Sequence, residues 1–123
     1  MAFFEELVYW SKAKELTLAV YELMRDNKDY GLRDQIQRAA VSIMNNIAEG
    51  SENGSPQNFI RFLNIARGSC AEVRSMLYLC ADLNYCTPEK FDELSELCKV
   101  ISASIFSHIK YLKGTIEKRE RIS

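Results

Sequence analysis

The sequence predicts an all-α protein, folded as a single antiparallel up-down-up-down four-helix bundle that spans residues 1–123. Three observations predict this fold. Apolar residues recur at steps of three and four in four segments, which is the period of a half-buried helix. Turn-forming residues separate the segments, and no strand pattern competes. Because the connections are short, successive helices must run in opposite directions.

The first two helices are predicted over about residues 4–25 and 32–49. Gly50 should end the second helix as its C′ residue, because only glycine enters the left-handed conformation at little cost. Each helix has one apolar stripe, with Tyr9, Ala13, Leu16, Thr17, Val20 and Met24 in the first, and Leu32, Ile36, Ala39, Ala40, Ile43 and Ile47 in the second.

The third and fourth helices are predicted over about residues 56–83 and 88–118. Ser55-Pro56 and Thr87-Pro88 each indicate an N-cap followed by proline at the first helical position. Gly68, in the middle of helix 3, suggests close approach by another backbone. The core stripes are Phe59, Phe62, Leu63, Ala66, Cys70, Val73, Leu77 and Cys80, then Leu94, Leu97, Cys98, Ile101, Ile105, His108, Leu112 and Ile116.

Composition excludes several classes of protein. The chain has 16 Lys and Arg against 17 Asp and Glu, so its net charge of −1 creates no field that attracts nucleic acid or anionic lipid. The N-terminus lacks the pattern of a signal peptide, and no apolar run approaches the roughly 20 residues of a membrane span. We therefore expect a cytoplasmic protein whose four cysteines are reduced and act as small hydrophobes.

A polar stripe lies opposite the core line of helix 2, and helix 3 has a comparable one. Two successive asparagines inside a helix lower its intrinsic stability, so an interaction should offset that cost. One interpretation is a solvated or inter-helix hydrogen-bond network, and the other is a ligand or partner site. The stripe residues are Arg38, Ser42, Asn45, Asn46 and Glu49 on helix 2, and Arg61 and Glu72 on helix 3.

The helices also have more apolar residues than one core stripe requires. Scattered surface apolar residues are normal, but contiguous patches usually mark interfaces. We expect a self-association surface, and hence a homo-oligomer, formed by Val41, Met44 and Ala48 on helix 2 and Ile65, Met76, Leu79 and Leu83 on helix 3. Further surface candidates are Leu7, Leu18 and Tyr21 in helix 1, and Phe91, Phe106 and Ile109 in helix 4.

Every basic residue between Gly31 and Thr87 is arginine, namely Arg33, Arg38, Arg61, Arg67 and Arg74. Arginine suits bidentate pairing with a carboxylate or phosphate. Internal or intersubunit salt bridges are the favoured interpretation, because acidic residues are interspersed. The alternative is nucleic-acid contact through Arg33, Arg38, Arg67 and Arg74.

The sequence lacks the patterns of common catalytic centres. His108 is the only histidine and lies on the helix 4 stripe, where a hydrogen-bonded core residue is expected. No Glu-x-x-His pair, zinc-ligand spacing or phosphate-binding glycine loop is present. We therefore expect no catalytic residues, no metal or other cofactor, and no enzymatic activity.

Several motifs together resemble a bacterial four-helix-bundle family named for proteins encoded in intervening sequences of 23S rRNA genes. The resemblance spans nearly the whole chain. It depends on Trp10-x-Lys12-Ala13, Val20-Tyr21, Tyr30-Gly31-Leu32, Gln35-Ile36, Arg38-Ala-Ala-Val-Ser-Ile43, Asn46-Ile-Ala-Glu-Gly50 and Phe62-Leu63-x-Ile65-Ala66-x-Gly68-Ser69.

The resemblance implies a four-helix bundle that assembles as a five-membered ring and has a largely undefined role. A related branch, the accessory protein of diversity-generating retroelements, is a basic pentamer that associates with reverse transcriptase and nucleic acid. This chain differs from the family at Met44, where proline is common, at Gln37, in a frequent arginine pair, and at Asn53, in a turn that is often basic. The lost basic residues and the near-neutral charge weaken the implied RNA binding and leave the implied assembly intact.

Two hypotheses for function follow. The first is a non-enzymatic, self-assembling scaffold that binds another protein through a ring surface. The second is an accessory protein that binds RNA or DNA through arginines of helices 2 and 3.

Overall fold

The structure is a computed structural model that describes residues 3–122, and within this range it is a four-helix bundle without strands. A 3₁₀ turn at Phe4–Glu6 precedes α1 (Val8–Met24), α2 (Tyr30–Glu52), α3 (Pro56–Asp82) and α4 (Pro88–Ile122). Each helix packs on its neighbour in the chain and α1 packs on α4, whereas the diagonal pairs do not meet among these residues. Neighbouring helices joined by such short connections run antiparallel, as predicted.

The stripes predicted from periodicity form the core. All the stripe residues of α1 and α2 are buried. In α3 and α4 the stripes are also buried, except for Phe59, Leu97, His108 and Ile116, which are half-buried. Ile109 was predicted at the surface, but it is only 2% exposed. This residue lies about 40° around α4 from the buried Ile105, so the buried stripe of α4 is wider than predicted.

The beginning of the bundle differs from the predicted continuous first helix. The Phe4–Glu6 turn is followed by Leu7 in an extended conformation (φ −78°, ψ 121°), and α1 begins only at Val8. This bend brings the ring of Phe4 edge-on to that of Trp10, with 5.0 Å between the ring centroids.

The end of α2 corrects the prediction for Gly50. The helix continues to Glu52, so Gly50 lies inside it and is buried. A Cβ atom added at Gly50 would lie 2.8 Å from Cβ of Phe62 and 2.9 Å from Cδ1 of Phe59. Glycine is therefore needed here because α3 packs closely, and the left-handed residue of the connection is Gly54 (φ +79°).

Gly68 was predicted to lie at a close helix contact, but the space beside it is open. A Cβ atom added there would meet nothing within 4 Å in the described part of the chain. Within one chain, the close backbone approach suggested for Gly68 is therefore absent, and it occurs at Gly50 instead.

Side-chain caps explain where the helices begin. Asp29 accepts a hydrogen bond from the backbone N–H of Leu32 at 3.3 Å, which starts α2 two residues earlier than predicted. The predicted caps of α3 and α4 are present, with Asn58 N–H donating to Ser55 Oγ at 3.2 Å and Lys90 N–H donating to Thr87 Oγ1 at 3.1 Å. These bonds satisfy backbone donors that a helix start would otherwise leave free.

The end of α3 is closed by a left-handed asparagine. Asn84 has φ +60°, and the next N–H, that of Tyr85, donates to the carbonyl oxygen of Cys80 at 2.8 Å. This is the hydrogen-bond pattern of a Schellman motif. The hydroxyl of Tyr85 also donates to Oδ2 of Asp29 at 2.9 Å, which joins the end of α3 to the start of α2.

Candidate functional site

A hydrogen-bonded network joins α2 to α3 at the centre of the predicted polar stripe. Ser69 Oγ donates to Ser42 Oγ at 2.8 Å, while Asn46 Nδ2 lies 3.0 Å from Ser42 Oγ and 2.8 Å from the Ser42 carbonyl oxygen. The network explains how α2 accommodates Asn46. Ser69 was missed from the sequence, although a serine beside the apolar stripe of α3 was an available signal.

A shallow groove of about 350 Å³ adjoins this network between α2 and α3. It brings Arg38 and Glu72 together with Ser42, but the two charged side chains form no ion pair within 4.0 Å of each other. The remaining stripe residues, Asn45, Glu49 and Arg61, are exposed and do not line the groove. Three of the predicted residues (Arg38, Ser42 and Glu72) therefore line one groove, and Asn46 is joined to it only through its hydrogen bonds to Ser42.

Within residues 3–122, the arginines of α2 and α3 do not pair with carboxylates. The ion pairs found, Arg25–Glu22 and Lys90–Glu93, are exposed and local. Among residues 3–122, none of the five arginines singled out from the sequence pairs with Asp or Glu. The internal salt bridges allowed by the sequence are therefore absent from this range. Three of these arginines instead stack on aromatic rings: Arg33 on Tyr30, Arg61 on Phe62 and Arg67 on Phe106.

Four buried polar side-chain atoms lack a hydrogen-bond partner among the described residues. They are Nε of Arg33 on α2, Nε of Arg67 and of Arg74 on α3, and Oγ of Ser95 on α4. Arg67 is 4.8 Å from the Phe106 ring centroid, and Lys110 is 5.9 Å from it. Because Arg38 lies in the α2–α3 groove and Arg67 stacks on α4, the four predicted nucleic-acid contacts do not form a single cluster.

The predicted assembly residues form two patches on neighbouring sides of the bundle. The α2 patch (Val41, Met44, Ala48) borders a groove of about 470 Å³ that Val41 lines together with Tyr21 of α1. The α3 patch (Ile65, Met76, Leu79, Leu83) lies beside the α2–α3 groove, since Met76 and Leu79 lie about 20° around α3 from Ser69 and Glu72 respectively. Ile65, Leu79 and Leu83 are 44%, 46% and 44% exposed, whereas Met44 and Met76 pack partly against the core.

A partly enclosed cavity of about 540 Å³ lies where the end of α2, the start of α3 and the last turns of α4 meet. We call it the end cavity. Its apolar wall comes from Leu7, Pro56, Phe59, Tyr111 and Leu112, and its polar groups come from Ser51, Ser55, His108, Thr115 and Arg119. The sequence analysis missed this cavity because its lining comes from four separate parts of the chain.

His108 is hydrogen-bonded, as predicted, and it also lines the end cavity. Its Nδ1 lies 2.6 Å from the hydroxyl of Tyr9, and the ring of Phe59 packs edge-on at 5.1 Å between centroids. Burial lowers the pKa of His108 and raises the pKa of Tyr9, so both groups are neutral near pH 7.

The cysteines behave as the composition suggests. Cys70, Cys80 and Cys98 are buried, and burial raises the pKa of Cys70 and of Cys98 to about 12 and that of Cys80 to about 11. Such thiols hold their protons at neutral pH and are poor nucleophiles.

Over residues 3–122, no group of three or more His, Cys, Asp or Glu side chains could hold a metal ion. Over the same residues, no helix is both long enough and apolar enough to cross a membrane.

These features define a class of protein: an up-down-up-down helical bundle whose distinctive residues form surface patches and grooves. The chain belongs to the 23S rRNA-intervening sequence protein family, which matches residues 5–107. The family resemblance drawn from the motifs is thereby confirmed. The family is of unknown function and is not known to be enzymatic.

One similar solved structure is a crystal structure, at 1.70 Å resolution, of a protein with unknown function from the S23 ribosomal protein family of Bacteroides thetaiotaomicron. The two sequences are 28% identical and the TM-score is 0.78. The similarity covers 84% of this chain and 99% of that chain. A comparison with curated proteins found no match.

Proposed function

We propose that this protein is a non-enzymatic scaffold that assembles with copies of itself into a ring and presents a ring surface to a protein partner. The observation that carries the proposal is the α3 patch, in which Ile65, Leu79 and Leu83 each remain 44–46% exposed in one chain. Leu79 and Leu83 are one turn apart on one face of α3, and Ile65 lies on the same line about 21 Å before Leu79. Exposed apolar surface of this kind at Leu79 and Leu83 favours an interface.

The position of the second patch favours a ring over a symmetric pair. The α2 patch borders the groove between α1 and α2, and the α3 patch lies beside the groove between α2 and α3; the two grooves meet at Arg38 and Ser42. When two different surfaces meet, the contact is heterologous, and it closes into a ring if the rotation between copies fits. The resemblance to the family implies that such a ring has five subunits.

Charged side chains without ion-pair partners also support assembly into a ring. Arg38 and Glu72 share a groove without pairing in one chain. The side chain of Arg61 is also exposed and forms no ion pair within residues 3–122. Arginine forms bidentate pairs with carboxylates, so a neighbouring copy offers these groups the partners that their own chain does not.

Charged substitutions in the two patches test the proposal. Leu79→Glu and Val41→Glu each place a carboxylate in one patch, and Val100→Glu is the matched control on the exposed face of α4. Leu79 is a better target than Met76, because Met76 also packs against the core. Size exclusion with light scattering should show the wild type and Val100→Glu as oligomers, and both patch variants as monomers.

Each other outcome has a defined meaning. A monomeric wild type at micromolar concentration refutes self-assembly. An oligomeric Leu79→Glu variant refutes the α3 patch as the interface. If only one patch variant dissociates, the contact is not formed between the two patches, and the heterologous ring is wrong. Circular dichroism and thermal melting should first show that each variant remains folded.

The second candidate function is nucleic-acid binding through α3 and α4. The observation that favours it is the pair of cations, Arg67 and Lys110, that lie 4.8 and 5.9 Å from the centroid of the exposed Phe106 ring. Arg74 lies about two turns further along α3 from Arg67. Cations interleaved with an aromatic ring suit single-stranded nucleic acid. The net charge of −1 opposes it, so binding should be weak and should fall steeply with salt.

A labelled single-stranded RNA titrated at about 150 mM salt separates the two candidates. Under the scaffold proposal we expect no sub-micromolar binding. Sub-micromolar affinity that Arg67→Gln and Arg74→Gln abolish, with Arg25→Gln as the control, would replace the scaffold by the nucleic-acid accessory. Arg33→Ala and Arg38→Ala test the two remaining arginines in the same assay.

A further inference from the structure

We propose that the end cavity binds a small aromatic or aliphatic molecule that has one anionic group, such as a carboxylate. Its volume of about 540 Å³ lies within the range of roughly 300–1,000 Å³ that is usual for ligand pockets. The cavity shares no residue with the α2 patch or the α3 patch. The inference therefore does not depend on self-assembly.

The wall of the cavity favours a ligand whose main part is apolar and flat. Leu7, Phe59 and Leu112 present apolar surface from three parts of the chain. Phe59 packs edge-on to the His108 ring, and Tyr111 lies beside that ring at 6.1 Å between centroids. A flat apolar body would be covered on several sides by these rings, and burying it is favourable in proportion to its area.

The polar groups of the cavity favour a ligand with a negative charge. Arg119 is a permanent cation, and Ser51 and Thr115 add hydroxyl groups. Among the described residues, no Asp or Glu lines the cavity. A cationic ligand would meet Arg119 without a compensating carboxylate, whereas an anionic group would gain a charge-assisted hydrogen bond.

The Tyr9–His108 pair adds an oriented donor. We assign the 2.6 Å contact between the Tyr9 hydroxyl and His108 Nδ1 as donation from the hydroxyl, which stays protonated. The neutral imidazole then has its proton on Nε2, which is the remaining nitrogen of a residue that lines the cavity. Nε2 of His108 is therefore a donor separate from Arg119, since the two Cα atoms lie about 16 Å apart along α4.

Isothermal titration calorimetry of the full chain tests this inference with 2-naphthoate as the anionic probe and 2-naphthalenemethanol as its neutral counterpart. We expect 2-naphthoate to bind with a dissociation constant on the order of 1 mM or tighter. The alcohol and the Arg119→Gln variant should each weaken binding about tenfold or more, because a charge-assisted bond is lost. Lys113→Gln, which removes the same charge outside the cavity, should bind as the wild type does.

A second variant and a location measurement complete the test. Thr115→Phe, which narrows the cavity, should abolish binding while the protein remains folded. Chemical shifts in amide NMR spectra should change at Ser51, Gly54 and Thr115. Equal binding of acid and alcohol, unchanged binding by Arg119→Gln, or shifts centred on Leu79 would overturn the inference. No heat and no shifts up to about 5 mM probe would also overturn it, and would leave the assembly proposal unaffected.

Discussion

The close packing of α3 against α2 at Gly50 makes a prediction about stability. In Gly50→Ala, the new Cβ atom would lie 2.8 Å from Cβ of Phe62 and 2.9 Å from Cδ1 of Phe59. The Cβ of Phe62 is attached directly to the α3 backbone, so the helix itself must shift. Overpacking of this kind costs about 1–3 kcal/mol, whereas alanine gains about 0.8–1 kcal/mol of helix propensity over glycine.

The net expectation for Gly50→Ala is a loss of up to about 2 kcal/mol, centred near 1 kcal/mol, in the free energy of unfolding. Gly114→Ala is the matched control, because an added Cβ atom there meets nothing within 4 Å in the described chain. That variant should gain about 0.4–1 kcal/mol. Urea unfolding at one fixed protein concentration measures both changes, since the stability of an oligomer depends on concentration.

If Gly50→Ala is as stable as the wild type or more stable, the prediction of overpacking at Gly50 is wrong. That result would mean that the two helices are not in close contact at this position, and that Gly50 serves another purpose. Gly68→Ala extends the test to assembly. This variant should gain stability as Gly114→Ala does, unless a neighbouring copy approaches Gly68 in the ring.

Two further predictions concern protonation and reactivity. Burial lowers the pKa of His108 in the folded protein, so the unfolded chain binds the proton more readily. The His108 contribution should therefore reduce stability as the pH falls below about 6.5, and the free energy of unfolding of His108→Gln should fall less over that range. An equal fall in both proteins would contradict this. Iodoacetamide should modify the half-buried Cys86 before Cys70 or Cys98, whose pKa values burial raises to about 12. Peptide mass spectrometry that finds Cys70 modified first would show that the core opens more readily than its packing indicates.

The core residues could be predicted because their positions depend only on the spacing of apolar residues along each helix. Leu16, Val20 and Met24 recur at steps of four on α1, and all three are fully buried. Such a pattern needs no knowledge of neighbouring helices. The predicted caps of α3 and α4 are similarly local, because a serine or threonine followed by proline acts within one turn.

The roles of the glycines could not be separated from the sequence. A glycine near the end of an apolar pattern is consistent with a left-handed stop or with a close helix contact. Gly50 has the second role and Gly54 the first, and the difference depends on where Phe59 and Phe62 of α3 are placed. That placement is tertiary information.

The candidate site was predicted only in part, because part of it is also formed by residues from different helices. Ser42 and Asn46 lie on one helix and their spacing was visible, but Ser69 completes the network from another helix. The end cavity was not foreseen, because His108 and Phe59 meet only when α3 and α4 pack. The burial of Ile109 likewise depends on how α4 packs in the bundle, which the periodicity of α4 alone does not show.

Native mass spectrometry of the unmodified protein, at concentrations of a few micromolar, tests the central claim most directly. One chain has a mass of 14.2 kDa. The proposed ring predicts one dominant species of about 71 kDa, five times that mass, which falls to the mass of one chain in Leu79→Glu. A wild-type protein found only at 14.2 kDa would contradict the account, because the exposed apolar patches would then have no copy of the chain to cover them.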